Sequence, residues 1–424
     1  MLNQSFWIHT GPTLTHGEPG KVEGRYDVVV IGGGLTGIAA AYTLAKEGAS
    51  VALLEADAIM QKASGQNGGQ CSTGVAQDFA SMAASLGLDK AKRYYTAYSE
   101  AVDTVRRFIQ QENIECDYRE SGKLKLAAKP QHADKIHRTY ELIKKEIDTN
   151  VAFYEANELK SEIASDKFYA GFLQRNALQL HVGKFGVGLA EAAIRYGAKF
   201  FEHAPVTKMS QQNRETLVET PRGTLVAKQV IVATGISQQG PLGWYRRRIV
   251  PVGSFMLATE KLDPKLIESL MPYKRSYVTS KNIGNYFRVM GDDRILFGGR
   301  ARFAMSNPES DAISGEILMR SMIDMFPALD GVKAEYCWGG LVDITQNRLP
   351  KAGSHNGMFY SMGYSGHGVQ MSVYMGQQLA QMLGGREEAN PWRDETWSAI
   401  PGYFGKPWFL PFVGAYYRLQ DYLH

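Results

Sequence analysis

A chain of 424 residues with 44% hydrophobic and 21% charged residues has the composition of an ordinary globular protein and is long enough for two domains. A net charge of +4, with both signs spread along the chain, gives no sequence-wide electrostatic case for nucleic acid. Three cysteines, Cys71, Cys116 and Cys337, without a CxxC pair or a His-rich tract, argue against a metal site or a disulfide framework and make a reducing, cytoplasmic setting the default expectation.

Residues 1–24 lack the basic start and apolar core of a signal peptide and read as an arm, lying over the body or mobile. Tyr26 to Ile31 is a valine-rich run expected to be a buried parallel strand. A glycine turn follows at once. Leu35 to Gly48 then reads as a helix and Ser50 to Glu55 as a second strand, which completes one βαβ unit. Asp89 to Gln111 and Gln131 to Asp148 have the pattern of amphipathic helices. Between them, Cys116 to Ala128 reads as a strand pair turning at Ser121-Gly122. Leu189 to Tyr196 is a predicted helix, and Val206 to Met209, Thr216 to Thr220 and Thr224 to Val232 are predicted strands. Arg246-Arg247-Arg248 reads as an exposed charged entry to the next strand. Phe255 to Thr259 is strand-like, and Tyr286 to Arg300 is a hairpin turning at Gly291-Asp292-Asp293. Phe359 to Gly385 returns to strand, glycine loop and helix. No run approaches the ~20 apolar residues that span a bilayer, so membrane association is not expected beyond the periphery.

Three motifs carry chemistry. In Gly32-x-Gly34-x-x-Gly37 the first glycine permits a tight turn, the second lets a pyrophosphate approach the backbone, and the third lets helix pack on strand. Leu35 and Thr36 open the helix whose N-terminus faces the phosphates. Glu55, followed by Ala56, stands at the end of the second strand, where an acid accepts from ribose hydroxyls. This establishes a dinucleotide and leaves FAD and NAD both open. The second motif, Ala63 to Gln70, contributes Ser64, Gly65, Asn67, Gly68, Gly69 and Gln70 as a small-residue loop able to fold over an extended cofactor. The third is Gly363-Tyr364-Ser365-Gly366-His367-Gly368-Val369, a glycine loop opening a helix. Against a flavin, that N-terminus would stabilise charge at N1–C2=O. His367 reads either as a loop histidine or as a base.

Together with Ala233-Thr234-Gly235 and Arg348-Leu349-Pro350, these motifs resemble the D-amino-acid oxidase-like flavoprotein superfamily. Within it the chain is most similar to the gamma-glutamylputrescine oxidoreductases; Asp117-Tyr118-Arg119 and Ala415 to Leu419 are further points of likeness. The resemblance runs from residue 25 to the end. It implies an α/β fold with a Rossmann-like FAD-binding domain of the glutathione-reductase type and an inserted α+β substrate domain carrying an antiparallel sheet. The expected boundaries are an arm at 1–24, FAD-binding pieces at 25–90, 175–240 and 335–424, and substrate pieces at 91–174 and 241–334. The implied activity is oxidation of a substrate C–N bond by hydride transfer to FAD, giving an imine that hydrolyses. The partners are then a small-molecule amine and O2 or another acceptor. Val206 would contact adenine through its backbone.

The same resemblance frames the site. Gln66 stands where the family loop carries Arg or His. Leu296 stands where sarcosine oxidases place an oxygen-activating lysine, which leaves oxidase and dehydrogenase activity both open. Cys337 stands at the distance from the Gly363 loop at which monomeric sarcosine oxidases carry a flavin-linked cysteine, which makes it a candidate for a covalent link, with burial in a strand as the alternative; Gly339 beside it is a cofactor-binding candidate. Tyr286, Arg288, Trp338 and Tyr364 are the substrate-pocket candidates, with Arg300 and Arg302 as further partners for a substrate carboxylate. An N-methyl amino acid or a D-amino acid is the alternative substrate. An NAD(P) dehydrogenase, a flavin monooxygenase, or a flavoprotein docking through its aromatic 391–424 tail are the readings from other classes.

Overall fold

The computed structural model describes residues 1–236, 240–300 and 306–423. Two eight-stranded sheets and a small three-stranded one organise it. In the first sheet the valine-rich strand Val22–Ile31 is central, paired in parallel with Val51–Leu54 on one side and Gly223–Val232 on the other. Lys199–Phe201 extends the parallel series beyond Val51–Leu54, and Met358–Met362 joins at Ile231 and Val232. Burial on both faces explains the continuous apolar run in the central strand. Helices Leu35–Lys46 and Gly368–Leu383 cross tightly, because Gly376 brings a backbone to which an added Cβ would stand 2.5 Å from the Thr36 carbonyl oxygen. This is a Rossmann-like nucleotide fold.

The second sheet runs, in spatial order, Ala334–Ile344, Val250–Thr259, Ile295–Gly299, Asn285–Val289, Ser276–Thr279, Lys123–Leu126, Ala170–Gln174 and Val151–Glu155. Its neighbours are antiparallel except for Ser276–Thr279 against Lys123–Leu126. Alternation assigns its two faces. Phe255, Leu257, Phe287 and Phe297 bury one face together with Leu318 and Met322 of helix Pro308–Met325. On the other face the register aligns Lys125, Val278, Tyr286, Gly298, Met256 and Trp338 in one row across six strands.

Several expectations are corrected. Cys116 to Ala128 is not a hairpin: Arg119–Glu120 pairs with Ala177–Gln179, whereas Lys123–Leu126 pairs in the second sheet. The helix expected from Leu189 starts at Val182. Its early glycines weaken the helical signal but are required by packing, since a Cβ at Gly186 would lie 2.4 Å from the Met60 sulfur. The arm lies on the body rather than loose: Phe6–Thr10 forms a helical turn with Trp7 only 1% exposed, while much of residues 12–21 is exposed. Arg248 is not an exposed entry, because it stacks on Trp244 and donates to the carbonyls of Trp244 and Trp397.

Candidate active site

A cavity of 880 Å³ runs between the two large sheets, from the glycine turn to the strand Lys123–Leu126. At its nucleotide end, Gly32 has φ +112° and an added Cβ would lie 2.7 Å from the Ala233 carbonyl oxygen. Gly37 is held by contact, since its Cβ would fall 1.9 Å from the Gly32 carbonyl oxygen. Gly33 N–H donates to Glu55 (2.6 Å), and Leu35 N–H donates to the Ser64 hydroxyl (3.0 Å). Gly32, Gly34, Leu35, Thr36, Glu55, Ala56, Val206, Ala233, Thr234 and Gly235 all border the cavity. Gly37 lies behind it.

The Ala63–Gln70 loop forms the middle of the cavity. Five consecutive carbonyls, Gly65 to Gly69, each accept from elsewhere. Ser5 Oγ donates to Gly65 (2.5 Å), Trp338 Nε1 to Gln66 (3.2 Å), Trp7 Nε1 to Asn67 (2.5 Å), Arg288 Nε to Gly68 (2.9 Å), and Leu180 N to Gly69 (3.0 Å). The Asn67 side chain closes the turn, accepting from Gly69 N–H and donating to the Ser64 carbonyl. The loop's acceptors are thus turned into the protein. Ser64, Asn67, Gly68 and Gln70 border the cavity, whereas Gly65 and Gly69 pack behind it.

The third glycine motif borders the cavity beyond the loop. Gly363 N–H donates to Asp343 Oδ2 (2.6 Å), and Ser365, at φ +52°, donates its N–H to the Asp343 carbonyl. Burial pushes the Asp343 carboxyl up to about 6, against the pull of these amides. Ser365, Gly366, His367, Gly368 and Val369 border the cavity at the start of helix Gly368–Leu383. Burial, and next Lys123, push His367 down to about 3, so the imidazole is neutral. Its ring packs edge-on to Tyr98. Tyr364 borders the cavity, but its hydroxyl ties Thr36 to Ser361 and so joins two of the motifs.

At the substrate end, Tyr286 faces the cavity with its hydroxyl on Ser254 (2.9 Å), beside Arg300 and Arg348. Arg302 lies outside the described residues. Two pocket candidates are reassigned. Arg288 is buried, with its donors committed to Gly68, Gln179 and Leu180, and Trp338 holds the Gln66 carbonyl; neither borders the cavity. Cys337 and Gly339 point to the opposite face. The thiol donates to the Asp311 carbonyl (3.3 Å), and burial pushes it up to about 12. Alternation along Ala334–Ile344 therefore turns Cys337 toward helix Pro308–Met325, away from the cavity. Gly363 sets the loop without bordering the cavity. Lys123, Lys125, Ser254 and Asp343 border it and were missed by the sequence reading. The Lys-Leu-Lys-Leu alternation was the available signal for two of them.

The glycine turn, the acid at the strand end, the braced loop and the helix N-terminus form a continuous cradle of the kind an extended FAD requires. Residues 27–382 match the model of the FAD dependent oxidoreductase family, DAO. The chain is 30% identical over 408 residues to gamma-glutamylputrescine oxidoreductase of Escherichia coli K12, covering 94% of this chain and 93% of that protein. It is 24% identical to glycine oxidase of Geobacillus kaustophilus, covering 86% and 94% respectively. The crystal structure of a Geobacillus kaustophilus glycine oxidase shares the fold, with a TM-score of 0.70, 19% identity and coverage of 90% and 98%. Among the described residues no helix is long and apolar enough to cross a membrane. The chain belongs to the DAO family of FAD-dependent oxidoreductases, enzymes that act on the C–N bonds of amines and amino acids.

Proposed function

We propose that the chain oxidises the C–N bond of a gamma-glutamylated amine such as gamma-glutamylputrescine. The observation that carries this reading is the extent of similarity to the Escherichia coli oxidoreductase, which spans nucleotide and substrate elements alike. Bound FAD supplies the hydride acceptor. The chain's own residues orient and desolvate. Tyr286 and Val278 wall the cavity, and Tyr286 keeps its proton because burial raises its phenol above the usual range. His367 is neutral and donates no charge. No side-chain base is required if the amine enters unprotonated, since the nitrogen lone pair itself drives loss of hydride from the adjacent carbon. The imine product then hydrolyses in water.

The cofactor contacts at the three motifs and the pocket roles of Tyr286 and Tyr364 belong to the same proposal, as does the division of the chain. Val51–Leu54, Gly223–Val232 and all of Val22–Ile31 from residue 25 on fall in the FAD-binding pieces, and Lys123–Leu126 and Val250–Thr259 in the substrate pieces. Ala334–Ile344 crosses into the second sheet. Anaerobic mixing of the holoenzyme with gamma-glutamylputrescine, sarcosine and D-alanine tests the reading. Bleaching of the visible flavin band by the first alone supports it, and bleaching only by an amino acid overturns it. Admitting air then separates O2 from another acceptor.

A further inference from the structure

We infer that Lys123 and Lys125, with Arg300 and Arg348, form a cationic wall that binds an acid group carried by the amine substrate. The inference rests on the reading that an amine is oxidised in this cavity. Lys-Leu-Lys-Leu is the pattern of an edge strand with lysines in water, yet Lys123–Leu126 is interior to its sheet, between Ala170–Gln174 and Ser276–Thr279. Leu124 and Leu126 enter the core, which turns both lysines onto the cavity face. Lys125 stands at one end of the row that contains Tyr286.

None of these four cations has a carboxylate within ion-pair distance among the described residues. Lys123 donates to the Thr73 carbonyl (2.7 Å), and Arg348 to the Tyr417 hydroxyl (2.7 Å). Asp78 is the acid whose charge acts on Lys125, but its oxygens already accept from Ser81 N–H, Ser81 Oγ and Thr139 Oγ1. Asp343, also bordering the cavity, is held by Gly363 N–H. Burial pushes both lysines down, Lys123 to about 7, and Arg300 is pushed down by burial and then by Arg348. A protein that gathers four half-buried cations on one cavity wall, none of them in a direct ion pair among the described residues, raises its own electrostatic energy unless a ligand brings further negative charge. A carboxylate at the far end of the substrate does so. The same wall repels a free diamine, whose second ammonium would meet it.

The test uses the holoenzyme, Lys125→Met, Lys123→Met and Lys125→Arg. FAD content and thermal midpoint are checked for each. Binding of glutarate, read from perturbation of the flavin spectrum, is expected to weaken at least tenfold in both methionine variants and to be restored in Lys125→Arg. The preference in kcat/KM for gamma-glutamylputrescine over N-acetylputrescine, which lacks the acid group, is expected to fall by the same factor. Glutarate binding that is unchanged in folded, FAD-loaded Lys123→Met and Lys125→Met overturns the inference, even if amines are oxidised. If no amine bleaches the flavin while glutarate binding still depends on the lysines, the substrate reading fails and the anion wall stands.

Discussion

Trp7→Ala is the most informative perturbation of the cofactor site, because Trp7 lies outside the cavity and touches it only through the Ala63–Gln70 loop. The indole is 1% exposed, packs edge-on to Phe6, His181 and Trp338, and donates to the Asn67 carbonyl at 2.5 Å. Its guanidinium neighbour Arg288, 5.2 Å from the ring, holds the adjacent Gly68 carbonyl. Truncating a buried tryptophan costs about 3–5 kcal/mol, and the lost hydrogen bond contributes about 1 kcal/mol of it. Trp7→Phe keeps much of the ring packing and loses the bond, so about 1–2 kcal/mol is expected. On the proposed contact between this loop and the cofactor, part of the loss passes into FAD affinity. A dissociation constant raised at least about tenfold corresponds to ~1.4 kcal/mol of the total. Thermal release of flavin fluorescence and FAD titration of the apoprotein measure the two parts. If Trp7→Ala retains the wild-type midpoint and FAD affinity, the arm does not brace the loop. If the Phe and Ala variants lose equally, the hydrogen bond and not the packing carries the effect.

Other outcomes are equally specific. Asp343 has a folded pKa of about 6, above its ordinary 3.8, so the fold retains a proton that the unfolded chain releases. Its penalty is absent below the lower value, grows between the two, and is complete above about 6, where it amounts to roughly 3 kcal/mol. Asp343→Asn keeps an acceptor for Gly363 N–H, so it should be more stable than wild type near pH 8 and lose that advantage near pH 4; parallel pH profiles for the two proteins refute this. Acid precipitation of the holoenzyme should leave all flavin in the supernatant, because Cys337 Sγ faces Gly315, where an added Cβ would stand 2.7 Å away. Yellow colour in the pellet that Cys337→Ser abolishes would falsify the assignment.

The parts of the site that the sequence reveals are those whose geometry is local. Gly32 to Gly37 and Gly363 to Val369 build a turn and start a helix within a few residues, so spacing alone specifies what they do. Arg288 and Trp338 illustrate the opposite case. Alternation shows which residues share a strand face, but not that donors on that face are consumed by loop carbonyls from residues 66 and 68. Lys123–Leu126 misled for a related reason: a strand's partners are set by residues 276–279 and 170–174, remote in the chain, so an interior strand carrying lysines reads as half of a local strand pair. Cys337 lay at the right sequence distance from the glycine loop and on the wrong side of its strand. The arm was read as lying over the body or mobile, and what fixes it was not legible, because the anchor is two aromatic residues, Phe6 and Trp7, too short a run to leave any periodicity.

The bracing of the flavin loop by the first residues also sets an order of events during synthesis. Trp7 and Ser5 leave the ribosome early, yet the backbone of Leu2 is fixed by Glu335 and Cys337, and His9 by Tyr336. Those partners emerge more than three hundred residues later, on the order of tens of seconds at ordinary translation rates. Until then the Ala63–Gln70 loop lacks three of its five donors, those from Ser5 and Trp7 by want of an anchor and that from Trp338 by want of a residue. A nascent chain can therefore complete its glycine turn long before it can retain a cofactor. On the proposed cofactor contacts, loading with FAD is then a late checkpoint, passed only when both ends of the sequence have met.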